Sequence, residues 1–314
     1  MFDLATPARP AFRPADAPRA LMQSAEFAGA LHRTRQSPLI LDRLDRTLVL
    51  KRRMPGGVTV AMLPRARIRK PLRLLEILQE EGLKRTPVII SPDHPTPELG
   101  KLGAIPLYSP AHVALLDLTP GAEALRAGMA QKWRNRLACA ESGKLRVAQS
   151  CLTQDPNHWL FAADAMQQQT RGYSNWPKEL TLAFAHENPG RTQLYTAYEG
   201  TKPVAAILLL LHGRCASYHI GHTTDQGRSE KAHNLLFWNA LQWLCDQGYE
   251  QLDLGVINTE DAPGLARFKL GMGAEPRALG GTWIWWPPMG AGLRFLSSLD
   301  HRLMTPRKTG QDTA

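Results

Sequence analysis

The chain has 314 residues, of which 43% are hydrophobic, so it is long enough for two domains of about 150 residues each. Its formal net charge of +10 favours anionic partners such as phosphates, nucleotides, RNA or an acidic membrane surface. The four cysteines are dispersed and form no CxxC pair, which argues against a zinc knuckle or a disulfide framework.

The first residues of the chain hold four prolines and little to bury, so we expect residues 1–20 to form a flexible arm. They also lack the apolar run of a secretory signal. The longest apolar run, Val204–Leu211, is too short to span a bilayer. These observations predict a cytoplasmic protein without a transmembrane segment.

The first half of the chain predicts a β-rich region with two helices. Ser24 is placed to cap a short helix, and a second, amphipathic helix over 70–83 ends at Gly82. Alternating or buried apolar runs predict strands. They lie at 38–42, 46–53, 58–64, 86–92 and 113–118.

The second half predicts a mixed sheet with helices on its faces. The predicted helices lie at 119–143, 155–172, 229–249 and 261–273. The predicted strands lie at 144–150, 192–200, 203–213, 215–223, 250–256 and, as one strand or a pair, within 274–287. The sequence has no dinucleotide fingerprint, Walker sequence, GxSxG elbow or HExxH motif, which excludes several common enzyme classes.

Three stretches, in this order, resemble the FemAB-like, BioF2-like branch of the GNAT acyltransferase superfamily. Residues 21–31, LMQSAEFAGAL, resemble its N-terminal helix, and residues 131–147, which begin QKWRNRLACA, resemble its helix–strand junction. Residues 225–255 form a hydrophobic helix followed by LDLG and lead into GLARFKLGMGAEPR at 264–277, which resembles the "FKxGxG" run of that branch. The resemblance spans about 22–285.

The resemblance implies an α/β (α+β) fold of tandem GNAT-like lobes, each a mixed, mostly antiparallel sheet with flanking helices. We expect a degenerate N-terminal lobe over 21–118, an acyltransferase lobe over 119–290, and an amphipathic segment and tail over 291–314. The substrate cleft is expected between the lobes or along the splayed strands of the second lobe.

Members of this branch transfer an acyl or aminoacyl group to an amine, with acyl-CoA or aminoacyl-tRNA as the co-substrate. The resemblance therefore implies an N-acyltransferase without a permanently bound cofactor or metal. Its acceptor would be a small-molecule or peptide amine, and tRNA would be a further partner. The sequence leaves the acyl group and the oligomeric state open.

Four residues are candidates for the chemistry. The "FKxGxG" resemblance places Lys269 near the reacting centre, as a cation on a phosphate or an oxyanion; the alternative is a helix-end lysine that reaches water. Asp253 in LDLG is a candidate base or amine anchor, or else a paired strand-end carboxylate. His222 is a candidate base, or else a hydrogen-bonded structural histidine. Tyr218 is a candidate proton donor to the leaving group, or else a packing tyrosine. His219 and His222 are expected on opposite faces of their strand, which argues against joint metal binding.

Four cations are candidates for binding the phosphates of the donor. Arg228 and Lys231 lie where the long helix begins, and free N–H groups at a helix N-terminus favour anions. Lys132 and Arg136 are four residues apart and share a helix face. This face either binds phosphate groups or is a solvated basic surface.

Gly271 and Gly273 are placed to let the backbone approach a donor or adopt a positive φ. The segment before the long helix reads DQGRSEKAH instead of the R/Q-x-x-G-x-G/A pyrophosphate loop, which puts acetyl-CoA in doubt as the donor. The same departure favours a rival interpretation. In this second hypothesis the chain is a non-catalytic GNAT-like module that binds RNA, a nucleotide or an anionic membrane surface.

Overall fold

The computed structural model describes residues 18–289, which divide into two compact units. The larger unit is built from residues 18–38 and 112–277, and the smaller from 39–111 and 278–289. Within these described ranges, no helix is both long and apolar enough to cross a membrane.

The helices are α1 (Ala25–Arg33), α2 (Pro71–Glu80), α3 (Glu98–Lys101), α4 (Ala122–Gly128), α5 (Gln131–Glu141), α6 (Trp159–Arg171), α7 (Lys178–Glu187), α8 (Asp225–Ser229), α9 (Ala232–Asp246) and α10 (Pro263–Gly271). The strands are β1 (Leu39–Leu41), β2 (Thr47–Arg53), β3 (Thr59–Ala66), β4 (Val88–Pro92), β5 (Ile105–Tyr108), β6 (His112–Asp117), β7 (Arg146–Cys151), β8 (Thr192–Glu199), β9 (Lys202–His212), β10 (Cys215–Thr223), β11 (Gln251–Ile257), β12 (Glu275–Ala278) and β13 (Thr282–Trp285).

The smaller unit is a six-stranded sheet in the order β1-β2-β3-β4-β13-β5. Its pairs are antiparallel except β3–β4, which is parallel. Strand β13 inserts between β4 and β5, and pairs Trp283 with Ile90 and Trp285 with Val88. Leu78 of α2 belongs to the same buried apolar cluster as Trp285, so this helix covers the sheet.

The larger unit is a seven-stranded sheet in the order β12-β6-β11-β10-β9-β8-β7. Its central strand β9 explains the apolar run noted in the sequence. Ile207, Leu209 and Leu211 lie in a buried cluster with α9, whereas Leu208 and Leu210 lie in a second cluster with α6 and α7. A strand that is buried on both faces needs apolar residues at every position.

Within this sheet β10 and β11 run parallel, while the pairs from β7 to β10 and the β6–β11 pair are antiparallel. Two mixed, mostly antiparallel sheets with flanking helices confirm the expected fold class. The predicted cap of the first helix is also confirmed, since Ser24 Oγ accepts the N–H of Phe27 at 3.0 Å.

The prediction of one helix over 119–143 is wrong, because α4 and α5 are separated by extended residues at Met129 and Ala130. Met129 is buried, and Ala130 N donates to Gly271 O at 2.9 Å. These tertiary contacts override a helical propensity that is continuous in the sequence. The sequence also fails to predict α3, α7 and β5.

The two units differ in their bounds from the expected lobes at 21–118 and 119–290. Helix α1 belongs to the larger unit, where Phe27 packs on Trp176 at a ring distance of 5.0 Å. Strand β13 belongs to the smaller unit. Each unit is built from two separate stretches of the chain, because α1 and β13 bury their apolar residues against partners that are far away in the sequence. The expected arm up to residue 17 and the segment 291–314 lie outside the described residues.

Gly227 in α8 packs so closely on β9 that a Cβ atom would overlap Val204 O and lie 2.7 Å from Thr223 Oγ1. Because a backbone oxygen cannot move aside cheaply, we expect Gly227→Ala to lower the free energy of unfolding by about 1–3 kcal/mol. Urea denaturation followed by circular dichroism measures the change.

The control is Gly128→Ala, since a Cβ there meets nothing within 4 Å. This variant is expected to change the stability by less than about 0.5 kcal/mol. Equal effects of the two substitutions would contradict the close packing of α8 on β9.

Candidate functional site

The site lies where the parallel strands β10 and β11 separate. Their described ladder pairs Cys215–Ser217 with Gln251–Asp253 and then ends, although β10 continues to Thr223 and β11 to Ile257. Both strands are irregular at this point, β10 after Tyr218 and β11 after Asp253. Bulges of this kind re-aim side chains and end strand pairing, and they are frequent beside active sites.

Two buried polar residues hold the irregularity in β11. Asp253 Oδ1 accepts the N–H of Gly255 at 2.8 Å, and Gly255 has a φ of +78°, which favours glycine. Lys269 Nζ, from α10, donates to Val256 O at 2.8 Å. The structure therefore brings together Lys269 and Asp253, two of the predicted site residues, at the point where β11 leaves β10.

Lys269 is only 5% exposed, so the alternative of a lysine reaching water is wrong. Burial lowers the pKa of its ammonium group to about 8, and the negative charge of Asp253 opposes this effect. A buried amine with this pKa changes its protonation state near neutral pH, whereas an exposed lysine does not.

On the β10 side, the ring of Tyr218 packs edge-on against Phe237 at 5.1 Å, and Phe237 contacts Phe268 at 5.5 Å. The Tyr218 hydroxyl lies over Gly221, where a Cβ would collide with it. Among residues 18–289 this hydroxyl has no hydrogen-bond partner, and burial raises its pKa. Tyr218 is therefore a protonated donor, and its ring is linked through Phe237 to Phe268, the residue before Lys269.

The expectation that His219 and His222 lie on opposite faces is wrong, because the irregularity at Tyr218 and Ile220 adds a residue to the strand. His219 contacts Trp176, and His222 contacts Trp159 at a ring distance of 6.0 Å. Both tryptophans pack against the same apolar cluster.

The two histidines nevertheless differ in their partners. His219 Nε2 lies 2.8 Å from Thr181 Oγ1, and burial lowers its pKa to about 3. Nδ1 of His222 is buried and has no partner within the described part of the chain. Burial and the charges of Arg228 and Arg171 lower the pKa of His222, so its ring is neutral at neutral pH and can accept a proton.

A polar network that sequence reasoning missed covers the open edge of β10. Gln167 Nε2 donates to Gly221 O at 3.1 Å, and Asn175 Nδ2 donates to His219 O at 3.2 Å. These side-chain amides donate hydrogen bonds to carbonyls of β10 that lie beyond its ladder with β11. An available signal was the polar face of α6, where Asp164, Gln167, Gln168 and Arg171 recur at helical spacing.

The predicted phosphate residues of the β10–α9 connection do not surround a glycine-rich loop. Thr224 Oγ1 accepts the N–H of Gly227 at 3.1 Å and caps α8. Arg228 pairs with Asp225 at 3.1 Å, and Lys231 Nζ donates to Ser229 O. The segment is therefore a capped helical turn, and part of its backbone N–H set is already occupied.

The remaining predicted residues lie in other surroundings. Lys132 and Arg136 are exposed on α5, and the described structure shows no contact between them and the opening. Gly271 makes room for Trp133, whose Cδ1 would lie 3.3 Å from an added Cβ, and Gly273 has a φ of +100° after α10. The two glycines thus serve packing and a turn. No group of three potential metal ligands occurs within residues 18–289.

Residues 126–275 match the family model described as an acetyltransferase (GNAT) domain. No curated protein matches the sequence significantly. The crystal structure of FemX superposes with a TM-score of 0.70 at 12% identity and covers 92% of this chain and 96% of FemX.

Two further structures are similar. The C-terminal domain of a putative lysylphosphatidylglycerol synthetase from Agrobacterium fabrum has a TM-score of 0.55 at 12% identity, covering 90% of this chain and 93% of that domain. L-PGS from Bacillus licheniformis has a TM-score of 0.51 at 13% identity, covering 89% and 95%. Residues 126–275 therefore match a GNAT acetyltransferase domain, and the chain has a FemX-like fold.

Proposed function

We propose that the chain transfers an acyl or aminoacyl group from an activated carrier to an amine at the opening between β10 and β11. The GNAT-type domain and the FemX-like fold support such a transferase in general. The observation that carries the proposal is the arrangement around the opening. The Tyr218 hydroxyl over Gly221 and the His222 Nδ1 atom, which has no partner among residues 18–289, lie on β10, and the buried amine of Lys269 lies beside β11.

In this mechanism the nitrogen of the acceptor attacks the carbonyl carbon of the donor. The new N–C bond forms, and the bond from that carbon to the carrier oxygen or sulfur breaks. His222, as a neutral imidazole, accepts the proton that the amine loses. Tyr218 gives its hydroxyl proton to the leaving oxygen or sulfur, and its raised pKa keeps that proton in place until the leaving group departs.

Lys269 supplies positive charge beside the reacting carbonyl. Its ammonium lies in a region from which water is largely excluded, and a charge there acts more strongly on a developing oxyanion than a charge at the surface. Asp253 holds the bulge that positions this group. In this proposal Asp253 is a positioning residue and not the base.

We favour aminoacyl-tRNA over acyl-CoA as the carrier. The capped turn of α8 stands where a pyrophosphate loop would hold CoA, and Gly227 there is buried against Val204. The net charge of +10 suits a polyanionic RNA. Two of the similar structures, a domain of a putative lysylphosphatidylglycerol synthetase and L-PGS, are consistent with aminoacyl transfer.

The rival function is a non-catalytic module that binds an RNA, a nucleotide or an anionic membrane surface. The same capped turn of α8 favours it, because a domain that has lost its phosphate loop can also have lost turnover. Transfer assays separate these possibilities.

Incubation with aminoacyl-tRNA and a panel of primary amines is expected to yield aminoacylated amine, whereas acetyl-CoA is expected to yield none. Product formation is measured by mass spectrometry. Turnover with acetyl-CoA would contradict the donor preference. Binding of tRNA without turnover of either donor would contradict the transferase and support the module.

Tyr218→Phe is expected to lower kcat by about 100-fold, because the leaving group then lacks a proton donor. The free energy of unfolding should hardly change, since the hydroxyl has no partner to lose within residues 18–289. Initial-rate kinetics and thermal denaturation measure the two effects.

Tyr195→Phe is the matched control, because the Tyr195 hydroxyl is also buried and unpartnered but lies in the core. It should leave kcat unchanged. A Tyr218→Phe variant with the activity of the wild type would remove Tyr218 from the mechanism.

The pH dependence of Lys269 tests its role. Its pKa falls from 10.5 to about 8 on folding, so the folded state binds fewer protons between these two values, and stability should rise with pH over that range. Turnover that needs the ammonium should instead fall as the pH rises through about 8. Chemical denaturation and pH–rate profiles measure the two trends.

Lys269→Met is expected to abolish the rise in stability and to lower kcat by about 100-fold. Lys269→Arg keeps a cation at every accessible pH, so it should remove the fall in rate above about 8. Lys84→Met, at an exposed lysine of the smaller unit, is the control for both measurements. A purely structural Lys269 would give the stability trend without any effect on the pH–rate profile.

A further inference from the structure

Asp164 of α6 is a buried carboxylate that is surrounded by neutral donors. Its Oδ2 accepts from Gln168 Nε2 at 2.8 Å and from Asn175 Nδ2 at 3.5 Å, and its Oδ1 accepts from the Tyr173 hydroxyl at 3.3 Å. The residue is only 5% exposed. Among residues 18–289, no lysine or arginine forms an ion pair with it.

A buried carboxylate without a cation is costly, and proteins usually pair it. Arg171, at the end of the same helix, acts electrostatically on Tyr173, Tyr218 and His222, but it makes no ion pair with Asp164. Asp164 thus has no ion-pair partner in the described part of the chain. Such a position suits a cationic group of a ligand.

The surroundings of Asp164 place that ligand beside the opening between β10 and β11. The charge of Asp164 acts on both the Tyr218 hydroxyl and the His222 ring. Gln167, on the same helix, donates to Gly221 O on the open edge of β10. Asn175 Nδ2 also contacts both Asp164 Oδ2 and His219 O, so a group bound at Asp164 lies near the part of β10 that carries Tyr218 and His222.

We propose that Asp164 binds the protonated amine of the acceptor, which is a primary aliphatic amine presented as an ammonium ion. The ammonium donates to Asp164 Oδ1 in place of the Tyr173 hydroxyl. That hydroxyl is replaceable, because its bond to Oδ1 is long, Tyr173 is 40% exposed, and its oxygen keeps the 2.8 Å contact with Gln167 Nε2. This inference rests on the proposed amine acceptor.

The ammonium gives the acceptor a defined position before it reacts. An ammonium ion donates a charge-assisted hydrogen bond to a carboxylate, and its positive charge adds an attraction that an alcohol lacks. Asp164 therefore selects amines over isosteric alcohols. The bound ammonium still has N–H groups that point away from Asp164. His222 Nδ1 accepts one of these protons before attack. The second proton, which the nitrogen loses after attack, returns to Tyr218 and replaces the proton that Tyr218 gave to the leaving group.

Binding of n-butylamine and n-butanol to the full chain, measured by ligand-observed NMR titration, tests the proposal. The wild type is expected to bind the amine at least about tenfold more tightly than the alcohol. Asp164→Asn removes the charge at almost constant shape, and it should reduce this preference to about twofold or less. Glu179→Gln, at an exposed carboxylate of the neighbouring helix α7, should leave the preference unchanged.

A second variant covers the case in which Asp164→Asn does not fold. Tyr173→Phe removes the donor that competes for Oδ1, so it should strengthen n-butylamine binding by roughly two- to fivefold. If Asp164 only anchors the α6–α7 connection, this variant would leave amine binding unchanged or weaken it, which would overturn the proposal. Equal binding of amine and alcohol by the wild type would overturn it as well.

The outcomes separate this inference from the proposed function. Asp164-dependent binding of n-butylamine without turnover of any donor would refute the transferase and keep the amine site. Turnover with full amine preference in Asp164→Asn would keep the transferase and refute the amine site.

Discussion

The irregular part of β11 is held by one contact from a buried side chain, the donation from Lys269 Nζ to Val256 O. The ladder with β6 is irregular between Asp253 and Val256, and Lys269 from α10 satisfies the Val256 carbonyl there. Asp253 accepts the N–H of Gly255 in the same bulge. The two side chains thus satisfy one backbone carbonyl and one backbone N–H. The cation that we propose for the chemistry is therefore also the group that keeps the opening in place.

The two edges of this opening differ in charge and in protonation. Burial holds His222 neutral and Tyr218 protonated on the β10 edge, while Lys269 on the β11 side is close to its own titration point. Asp164 adds a negative charge behind β10. This separation suits the two substrates that we propose, since an anionic carrier is attracted to Lys269 and a cationic acceptor to Asp164.

Sequence reasoning reached the fold because the fold depends on local patterns: the apolar run of β9, the cap of α1, and the order of three motifs. It proposed Lys269 from the "FKxGxG" resemblance, Asp253 from LDLG, and His222 and Tyr218 from their strand. It missed Asp164 because the partners of that carboxylate, Tyr173 and Asn175, lie in a connection without regular structure. The same-face placement of the two histidines depends on a bulge, and one inserted residue leaves no periodic signal.

The insertion of β13 between β4 and β5 also fixes when the smaller sheet can be completed. Strands β4 and β5 end by Tyr108, but the strand that joins them begins only at Thr282. During synthesis on the ribosome, both strands must wait with unpaired edges while more than half of the chain is still being made. Unpaired edges are templates for wrong pairing between molecules, so the protein is most exposed to aggregation before its last strand emerges.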